Sequence, residues 1–250
     1  PGFTHGNINV SEAIRDSCNY FFYEVGYRLA TNNYTTAYDD ALGISKIQKY
    51  ASLYGLNDTT GIEIQENDPN EADSYPVMAA IGQSNNNYTT VQLSRYVTAI
   101  ANSGTVYNYS LLSKVTSSDG TVLETYGPTV KNTVDVLDAS SWDAIHSGMR
   151  MVVTDSLSEY FANFPVEVAG KTGTAQQTPT RPNHALFVGY APYNNPEITI
   201  ATRIAYGYSS HNAAEVSRNI MAYYFNIESE DELLNGQAEN LNATSNGFTD

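Results

Sequence analysis

Cysteine and positive charge are both scarce in this 250-residue sequence. It contains one cysteine, Cys18, and 12 lysines and arginines against 27 aspartates and glutamates, a formal net charge of −15. A single cysteine excludes an internal disulfide and a cysteine-based structural zinc site. We expect no nucleic-acid partner, because neutralising phosphates requires clustered Lys and Arg. An acidic surface instead favours solubility and neutral or cationic ligands.

The sequence also lacks an apolar run long enough to cross a membrane and the pattern of a secretory signal. The chain opens on Pro1-Gly2 and runs directly into motif-bearing sequence, so we interpret it as a piece of a longer protein. With 41% apolar and 16% charged residues, it has the composition of a globular protein. The segment 226–250 is acidic and contains no Lys or Arg, which predicts a disordered tail.

The common cofactor motifs are missing as well. The four histidines are scattered without ligand spacing, and neither a P-loop nor a Gly-X-Gly-X-X-Gly loop occurs. No Gly-X-Ser-X-Gly elbow points to a Ser-His-Asp triad. We therefore expect no metal and no other cofactor, and serine with lysine remain as candidate catalytic residues.

Apolar periodicity predicts a mixed α+β protein. Helices are expected over 11–16 with Ser11 as the N-cap, from Asn19 onward, and over 36–54, 89–102, 138–153 and 213–225. The helix over 89–102 should pack through Val91, Leu93, Val97 and Ile100, and Trp142 should lie in the core. The Asp119-Gly120 turn predicts a hairpin within 105–134, whereas 154–165 is expected as a loop. Strands over 167–176, 184–190 and 197–204 predict an antiparallel meander.

The first of these strands carries the sequence Lys171-Thr172-Gly173-Thr174. A cation, two hydroxyls and a glycine on one extended segment could bind a ligand that lies alongside the strand, as a peptide adds to a sheet edge. Gly173 would keep that edge open. The alternative is an ordinary exposed edge strand, with a lysine at the rim and threonines present for their β propensity.

A second short motif, Ser17-Cys18-Asn19, falls between two predicted helices. A junction of this kind could present Ser17 and Asn19 while Cys18 turns inward. Ser-X-Asn alone has little specificity, because about one such triplet is expected by chance in a chain of this length.

Together, Ser17-Cys18-Asn19 and Lys171-Thr172-Gly173-Thr174 resemble the motifs of penicillin-binding protein transpeptidase domains. Further segments are similar to the class B enzymes, and in particular to the penicillin-binding protein 2 branch. These segments are His5–Val10, Ala13–Phe21, Ile81–Gln83, Ala101–Gly104 and His184–Pro192. The resemblance implies the penicillin-recognising serine transpeptidase/β-lactamase-like fold, an antiparallel sheet flanked by helices with an all-α part. Residues 1–225 would be the C-terminal portion of that domain, incomplete at its N-terminus.

The resemblance also implies an activity, partners and a location. The parent protein would cross-link peptidoglycan by attacking D-Ala-D-Ala stem peptides through a serine acyl-enzyme, and would bind β-lactam antibiotics. Its location would be the extracytoplasmic face of the bacterial membrane, with the anchor outside this chain and cell-wall synthesis proteins as partners. Ser17, Asn19 and Lys171 would be catalytic, and Thr172, Gly173 and Thr174 would bind the substrate.

The nucleophile of that family is the serine of a Ser-X-X-Lys motif. None of the five lysines in this sequence has a serine three residues before it. We therefore expect this chain to be inactive alone. Two other interpretations remain possible. The protein could be a noncatalytic sensor or scaffold that binds β-lactams or peptidoglycan, or it could be a relative of the serine β-lactamases.

Overall fold

The computed structural model describes residues 5–234. Its α-helices are α1 Val10–Arg15, α2 Asn19–Ala30, α3 Asp40–Leu53, α4 Pro76–Ala79, α5 Thr90–Ala101, α6 Ala139–Met151, α7 Ser158–Phe161, α8 Ser210–Tyr224 and α9 Glu230–Leu233. Its strands are β1 Thr105–Asn108, β2 Lys114–Thr116, β3 Val122–Thr125, β4 Thr129–Thr133, β5 Ala169–Ala175, β6 His184–Ala191 and β7 Ile198–Ile204. A π-helical turn, Val152–Ser156, continues α6. The chain is thus α+β, as the sequence predicts.

The chain divides into two compact units. The first combines the segment up to Cys18 with the segment from Asp143 onward, and the second is the continuous stretch Asn19–Trp142. The first unit therefore contains both α1 with Ser17 and the sheet β5-β6-β7. The Lys171 strand and Ser17 can accordingly be described within one unit.

The sheet of the first unit is the predicted antiparallel meander, in the order β5-β6-β7. Its register places Lys171 opposite Val188, and Val188 opposite Ala201. Directly opposed residues project to the same face, so Lys171 shares its face with alternate residues of β6. On the other face, Phe187 is fully buried.

That buried face forms the core of the first unit together with α8. Ala213, Ala214 and Met221 of α8 are fully buried in one cluster with Phe187. The hydroxyl groups of Thr202 on β7 and Ser217 on α8 lie 2.7 Å apart, so one hydrogen bond joins the helix to the sheet within this otherwise apolar cluster. The packed helix fixes the twist and position of the sheet, and with it the position of Lys171.

The second unit is mainly helical. Glycines let its helices approach closely: a Cβ at Gly26 of α2 would lie 2.8 Å from the Pro76 carbonyl oxygen, and one at Gly43 of α3 would lie 2.7 Å from Ala30 Cβ. The unit also holds two antiparallel pairs, β1 with β4 and β2 with β3. The second pair is the hairpin predicted from Asp119-Gly120.

Helix α5 buries two polar side chains that the sequence pattern did not indicate. Val97 and Ile100 are buried as expected, but Gln92 and Arg95 are buried too, whereas Val91 and Leu93 are only partly covered. The guanidinium of Arg95 donates to the carbonyl oxygens of Thr59, Asp58 and Gly55. These bonds tie a loop of the second unit to α5, which a purely apolar helix face could not do.

Several predicted boundaries are wrong, and the capping residues explain the differences. α1 is capped by Asn9, not Ser11: the Glu12 N–H donates to the Asn9 side chain and the Asn9 N–H donates to the Glu12 carboxylate, a capping box. α3 starts later than predicted, because Asp39 accepts hydrogen bonds from two N–H groups of its first turn. α8 starts earlier, because Ser209 is its cap.

Two predicted irregular segments contain helix. The expected loop over 154–165 instead holds the rest of the π-helical turn and α7, whose Phe161 is buried. In the expected disordered tail, residues 226–234 form a turn and the short helix α9, with a capping box between Ser229 and Glu232. The remainder of that predicted tail, 235–250, lies outside the described residues. Within residues 5–234, no helix has the length and apolar character to span a membrane.

Candidate active site around Ser17 and Lys171

Helix α1 is fixed to α6 within the first unit, and this determines where Ser17 lies. The Ser11 hydroxyl donates to the Ala144 carbonyl oxygen over 2.8 Å. Ile14 packs so closely on α6 that a Cβ at Gly148 would approach Ile14 Cβ to 2.8 Å. At the end of α1, Arg15 pairs with Asp155 at 3.7 Å. The C-terminus of α1 is thus held by polar and apolar contacts.

Ser17 occupies a strained position immediately after α1. Its φ of 49° is left-handed, in a place where helices commonly carry glycine. The Cys18 N–H donates to the Ala13 carbonyl oxygen at 3.0 Å and the Ser17 N–H to that of Ile14 at 3.3 Å, which is the Schellman pattern. Cys18 is buried, as the sequence predicts, and Ser17 is exposed.

His5 is a neighbour of this turn that the sequence pattern did not single out. Its Nδ1 lies 3.1 Å from the Cys18 Sγ. The two residues are 13 positions apart, and no local periodicity relates them. The only signal in the sequence is that His5 begins one of the segments that resemble class B enzymes.

Lys171 reaches Ser17 from β5. Its Nζ donates to the Ser17 Oγ at 3.1 Å and to the Thr172 carbonyl oxygen at 3.1 Å. The two residues are 154 positions apart in sequence. A lysine ammonium at this distance places positive potential on the hydroxyl, which stabilises its oxygen when the proton leaves. The structure thus joins the two motifs through Ser17 and Lys171.

The other predicted substrate-binding residues alternate along β5. Lys171 and Gly173 project to one face, and Thr172 and Thr174 to the other. Among residues 5–234, no strand pairs with the second edge of β5. A ligand along that edge would meet backbone groups first and side chains of both faces from there. Asn19, the remaining predicted catalytic residue, begins α2 and is exposed.

The two glycines of β5 should respond differently to alanine. A Cβ at Gly170 would lie 2.7 Å from Phe187 Cε2 and 2.8 Å from the Val188 carbonyl oxygen, whereas one at Gly173 would meet only Leu186 Cβ, at 3.5 Å. We expect Gly170→Ala to lower the free energy of unfolding by about 2–3 kcal/mol through overpacking. Gly173→Ala should change it by less than about 1 kcal/mol. Urea denaturation of the two variants measures both values, and equal losses would contradict this account of β5.

A pair of side chains, half-buried His146 and fully buried Tyr190, joins α6 to β6. The His146 Nδ1 lies 2.5 Å from the Tyr190 hydroxyl, and Tyr190 is fully buried. Desolvation lowers the pKa of His146, an effect that Asp143 partly opposes. Desolvation raises the pKa of Tyr190. Both side chains are therefore held neutral at the end of the sheet that carries Lys171.

This pair makes stability depend on pH. Because the pKa of His146 is lower in the folded than in the unfolded chain, the unfolded chain binds more protons once the pH falls below about 6.5. The contribution of His146 is complete above that pH and is lost as the pH falls toward the folded pKa. We expect the denaturation midpoint to decrease as the pH is lowered from about 7.5 to about 5.5, and to decrease less in His146→Gln. Identical pH profiles for the two proteins would contradict this role of His146.

The arrangement of helices and strands in the two units defines a class of protein. An antiparallel sheet with a packed C-terminal helix, joined to a mainly helical second unit, is the penicillin-recognising transpeptidase fold. A family model for the penicillin binding protein transpeptidase domain matches residues 3–222. The chain therefore belongs to the penicillin-binding protein transpeptidase family.

Named relatives agree with this assignment. The chain is 28% identical to the peptidoglycan D,D-transpeptidase MrdA of Haemophilus influenzae, over 89% of the chain and 37% of that protein. It is 28% identical to penicillin-binding protein 2A of Bacillus subtilis, over 94% of the chain and 36% of that protein. The chain thus spans little more than a third of the length of these relatives.

Solved structures show the same fold. Penicillin-binding protein 2B of Streptococcus pneumoniae superposes with a TM-score of 0.77 at 24% identity, covering 88% of this chain and 39% of that one. Penicillin-binding protein 2 of Pseudomonas aeruginosa gives a TM-score of 0.71 at 25% identity, covering 93% and 52%.

Proposed function

We propose that the longer protein to which this chain belongs is a serine-type peptidoglycan D,D-transpeptidase. The observation that carries the proposal is the 3.1 Å contact between Lys171 Nζ and Ser17 Oγ on a transpeptidase-family scaffold. Two relatives named peptidoglycan D,D-transpeptidase MrdA and penicillin-binding protein 2A support it. Residues 1–225 form the C-terminal part of the catalytic domain.

The reaction proceeds through an acyl-enzyme. A serine outside this chain attacks the carbonyl carbon of the D-Ala-D-Ala bond, so that a C–O bond forms and the C–N bond breaks. Ser17 relays to the departing amine the proton that the attacking serine loses, and Lys171 stabilises the oxygen of Ser17 during this transfer. An amine of a neighbouring stem peptide then attacks the ester and releases the serine.

The remaining motif residues hold the substrate. Asn19 donates to the amide carbonyl of the stem peptide, and the hydroxyls of Thr172 and Thr174 bind its terminal carboxylate. The backbone N–H of Thr174 is one donor of the oxyanion hole. Gly173 leaves room for the peptide, since a Cβ there would meet only Leu186 on the protein side.

The parent works at the extracytoplasmic face of the bacterial membrane, where peptidoglycan stem peptides, β-lactam antibiotics and other cell-wall synthesis proteins are its partners. In this proposal the membrane anchor belongs to a part of the parent protein outside this chain.

A fluorescent penicillin tests the proposal. The full-length protein should form a covalent adduct that resists denaturation, and the isolated 250-residue chain should form none, because it holds no Ser-X-X-Lys motif. The absence of an adduct with the full-length protein would overturn the proposal. That outcome would instead favour a noncatalytic sensor or scaffold, while rapid hydrolysis of a chromogenic β-lactam would favour a β-lactamase.

A further inference from the structure

Ser17 keeps a left-handed backbone, with a φ of 49°, although it is not a glycine. This conformation is disfavoured in any residue with a Cβ, and it persists only where neighbouring contacts determine it. The two hydrogen bonds of the turn come from backbone N–H groups and would form equally well with glycine. The additional contacts that hold a serine in this conformation should therefore come from side chains.

The two residues before Ser17 form a bidentate ion pair. Arg15 Nε donates to Asp16 Oδ1 at 2.7 Å, and Arg15 Nη2 donates to Asp16 Oδ2 at 3.1 Å. Only 28% of the Arg15 side chain and 21% of the Asp16 side chain are exposed. Hydrogen bonding to Arg15 lowers the pKa of Asp16, so the carboxylate stays charged at neutral pH. Because the pair spans one peptide bond, it closes a ring of side chains and backbone and restricts the dihedral angles between the two residues.

The π-helical turn that continues α6 holds the guanidinium from the other side. Within this turn the Leu157 N–H donates to the carbonyl oxygen of Val152, five residues earlier, at 3.0 Å. One residue more than in an α-helical turn rotates the side chains that follow by about 100°. Asp155 Oδ2 lies 3.7 Å from Arg15 Nη1, and the Thr154 hydroxyl donates to Asp155 Oδ1 at 2.8 Å. Every nitrogen of the guanidinium therefore has an acidic neighbour.

The same turn also contacts the backbone of Arg15. The Ser156 hydroxyl donates to the Arg15 carbonyl oxygen over 3.5 Å. The turn itself is fixed in the core of the first unit, where Val152, Val153 and Leu157 are buried. Both the side chain and the carbonyl group of Arg15 are thus held by one element that cannot move without disturbing the core.

We infer that Arg15 is a positioning residue for Ser17 and that the π-helical turn holds Arg15 in its place. This role rests on the proposed function, in which Ser17 relays a proton. Arg15 acts through the backbone, because its guanidinium restricts Asp16 and Asp16 directly precedes Ser17. The Ser17 hydroxyl is thereby kept 3.1 Å from Lys171 Nζ. Arginine suits this role because its planar group can bind both oxygens of Asp16 and still offer a third nitrogen to Asp155.

Acylation of the full-length protein by benzylpenicillin tests this role. Arg15→Gln should lower the rate constant of acylation about tenfold and leave the dissociation constant of the initial complex unchanged, because a misplaced proton relay slows chemistry and not binding. In a Ser17→Ala background the same change should have no further effect, since no hydroxyl remains to be positioned. Equal slowing in both backgrounds would overturn the inference, because it would indicate a structural effect that does not act through Ser17.

Two further variants separate the shape of the guanidinium from its charge. Arg15→Lys keeps the charge but cannot bind both oxygens of Asp16 in parallel, so it should slow acylation nearly as much as Arg15→Gln. Arg28→Gln is the matched control, because Arg28 forms an exposed ion pair with Glu24 within α2, at 2.7 Å. It should leave acylation unchanged. Acylation by Arg15→Lys at the rate of the unmodified protein would contradict the role of the bidentate pair.

Amide hydrogen exchange tests the positioning of Ser17 without any acylation. Measured on the full-length protein by mass spectrometry, the N–H groups of Ser17 and Cys18 should exchange about tenfold faster in Arg15→Gln, because the turn that they close opens more often. The amides of β6 should keep their exchange rates, which shows that the core is intact. If the full-length protein forms no penicillin adduct, the proposed function fails, and this measurement still decides the role of Arg15. Unchanged exchange at Ser17 and Cys18 would overturn the inference.

Discussion

Replacing Ser17 with glycine should stabilise this chain and remove most of the acylation activity proposed for the full-length protein. We expect the free energy of unfolding to rise by about 1 kcal/mol, because a left-handed serine is strained and glycine is not. In the full-length protein, acylation by benzylpenicillin should slow by about 10²–10⁴-fold, the usual contribution of a positioned proton-transfer group. A higher free energy of unfolding together with slower acylation would identify Ser17 as a residue retained for its chemistry.

The geometry behind this prediction is the C-terminal turn of α1. The N–H groups of Ser17 and Cys18 satisfy the carbonyl oxygens of Ile14 and Ala13 through the backbone, so the turn does not need a hydroxyl. The Ser17 hydroxyl accepts a hydrogen bond from Lys171 Nζ at 3.1 Å. Glycine keeps the turn and loses this contact.

Two matched variants make the result decisive. Ser17→Ala removes the same hydroxyl but keeps a Cβ at a φ of 49°, so acylation should fall equally without the gain in stability. Ser103→Gly changes another left-handed serine, at φ 58° in the corresponding turn after α5, and should leave acylation unchanged. Undiminished acylation in Ser17→Gly would contradict the proposed proton relay.

Arg95→Met should be the most destabilising single change in the second unit, at about 3–5 kcal/mol. Arg95 is 1% exposed, and its guanidinium donates to the carbonyl oxygens of Thr59 and Asp58, each at 2.7 Å, and to that of Gly55. Methionine fills a similar volume but offers no donor, so three carbonyl groups lose their partner. The cost of leaving buried polar groups unpaired then exceeds the gain from burying an apolar side chain.

Urea denaturation of the 250-residue chain measures this effect. Lys131→Gln provides the control, because Lys131 makes a side-chain ion pair with Asp58 at 2.6 Å in which the Asp58 side chain is 54% exposed. Exposed pairs of this kind contribute less than about 1 kcal/mol. A loss in Arg95→Met as small as that in Lys131→Gln would show that the loop around Asp58 does not depend on the buried guanidinium.

The parts of the fold that sequence patterns predicted correctly are those that depend on neighbours in the chain. The meander over β5, β6 and β7, the hairpin at Asp119-Gly120 and the helix after Asn19 each follow from a local period or turn residue. The errors lie at capping residues and short helices. Asn9 and Ser11 are both good caps, and only the reciprocal bond with Glu12 selects Asn9.

The buried arginine was not predictable in the same way. A helix pattern assigns Arg95 to the exposed face of α5, because charged residues are rarely buried unless they are paired. Its burial depends on three carbonyl groups of a loop about 40 residues earlier in the chain. No periodicity within α5 contains that information.

The sequence alone was sufficient to identify the Lys171-Thr172-Gly173-Thr174 strand, the Ser17-Cys18-Asn19 junction and the resemblance to a transpeptidase family, since each depends on residue type and short spacing. Only the tertiary structure brought Lys171 Nζ to 3.1 Å from Ser17 Oγ, gave Ser17 its left-handed backbone, and placed Asp155 beside Arg15. The physical reason is that these relations depend on strand register and helix packing, which join residues far apart in the chain and leave no periodic trace in their local sequence.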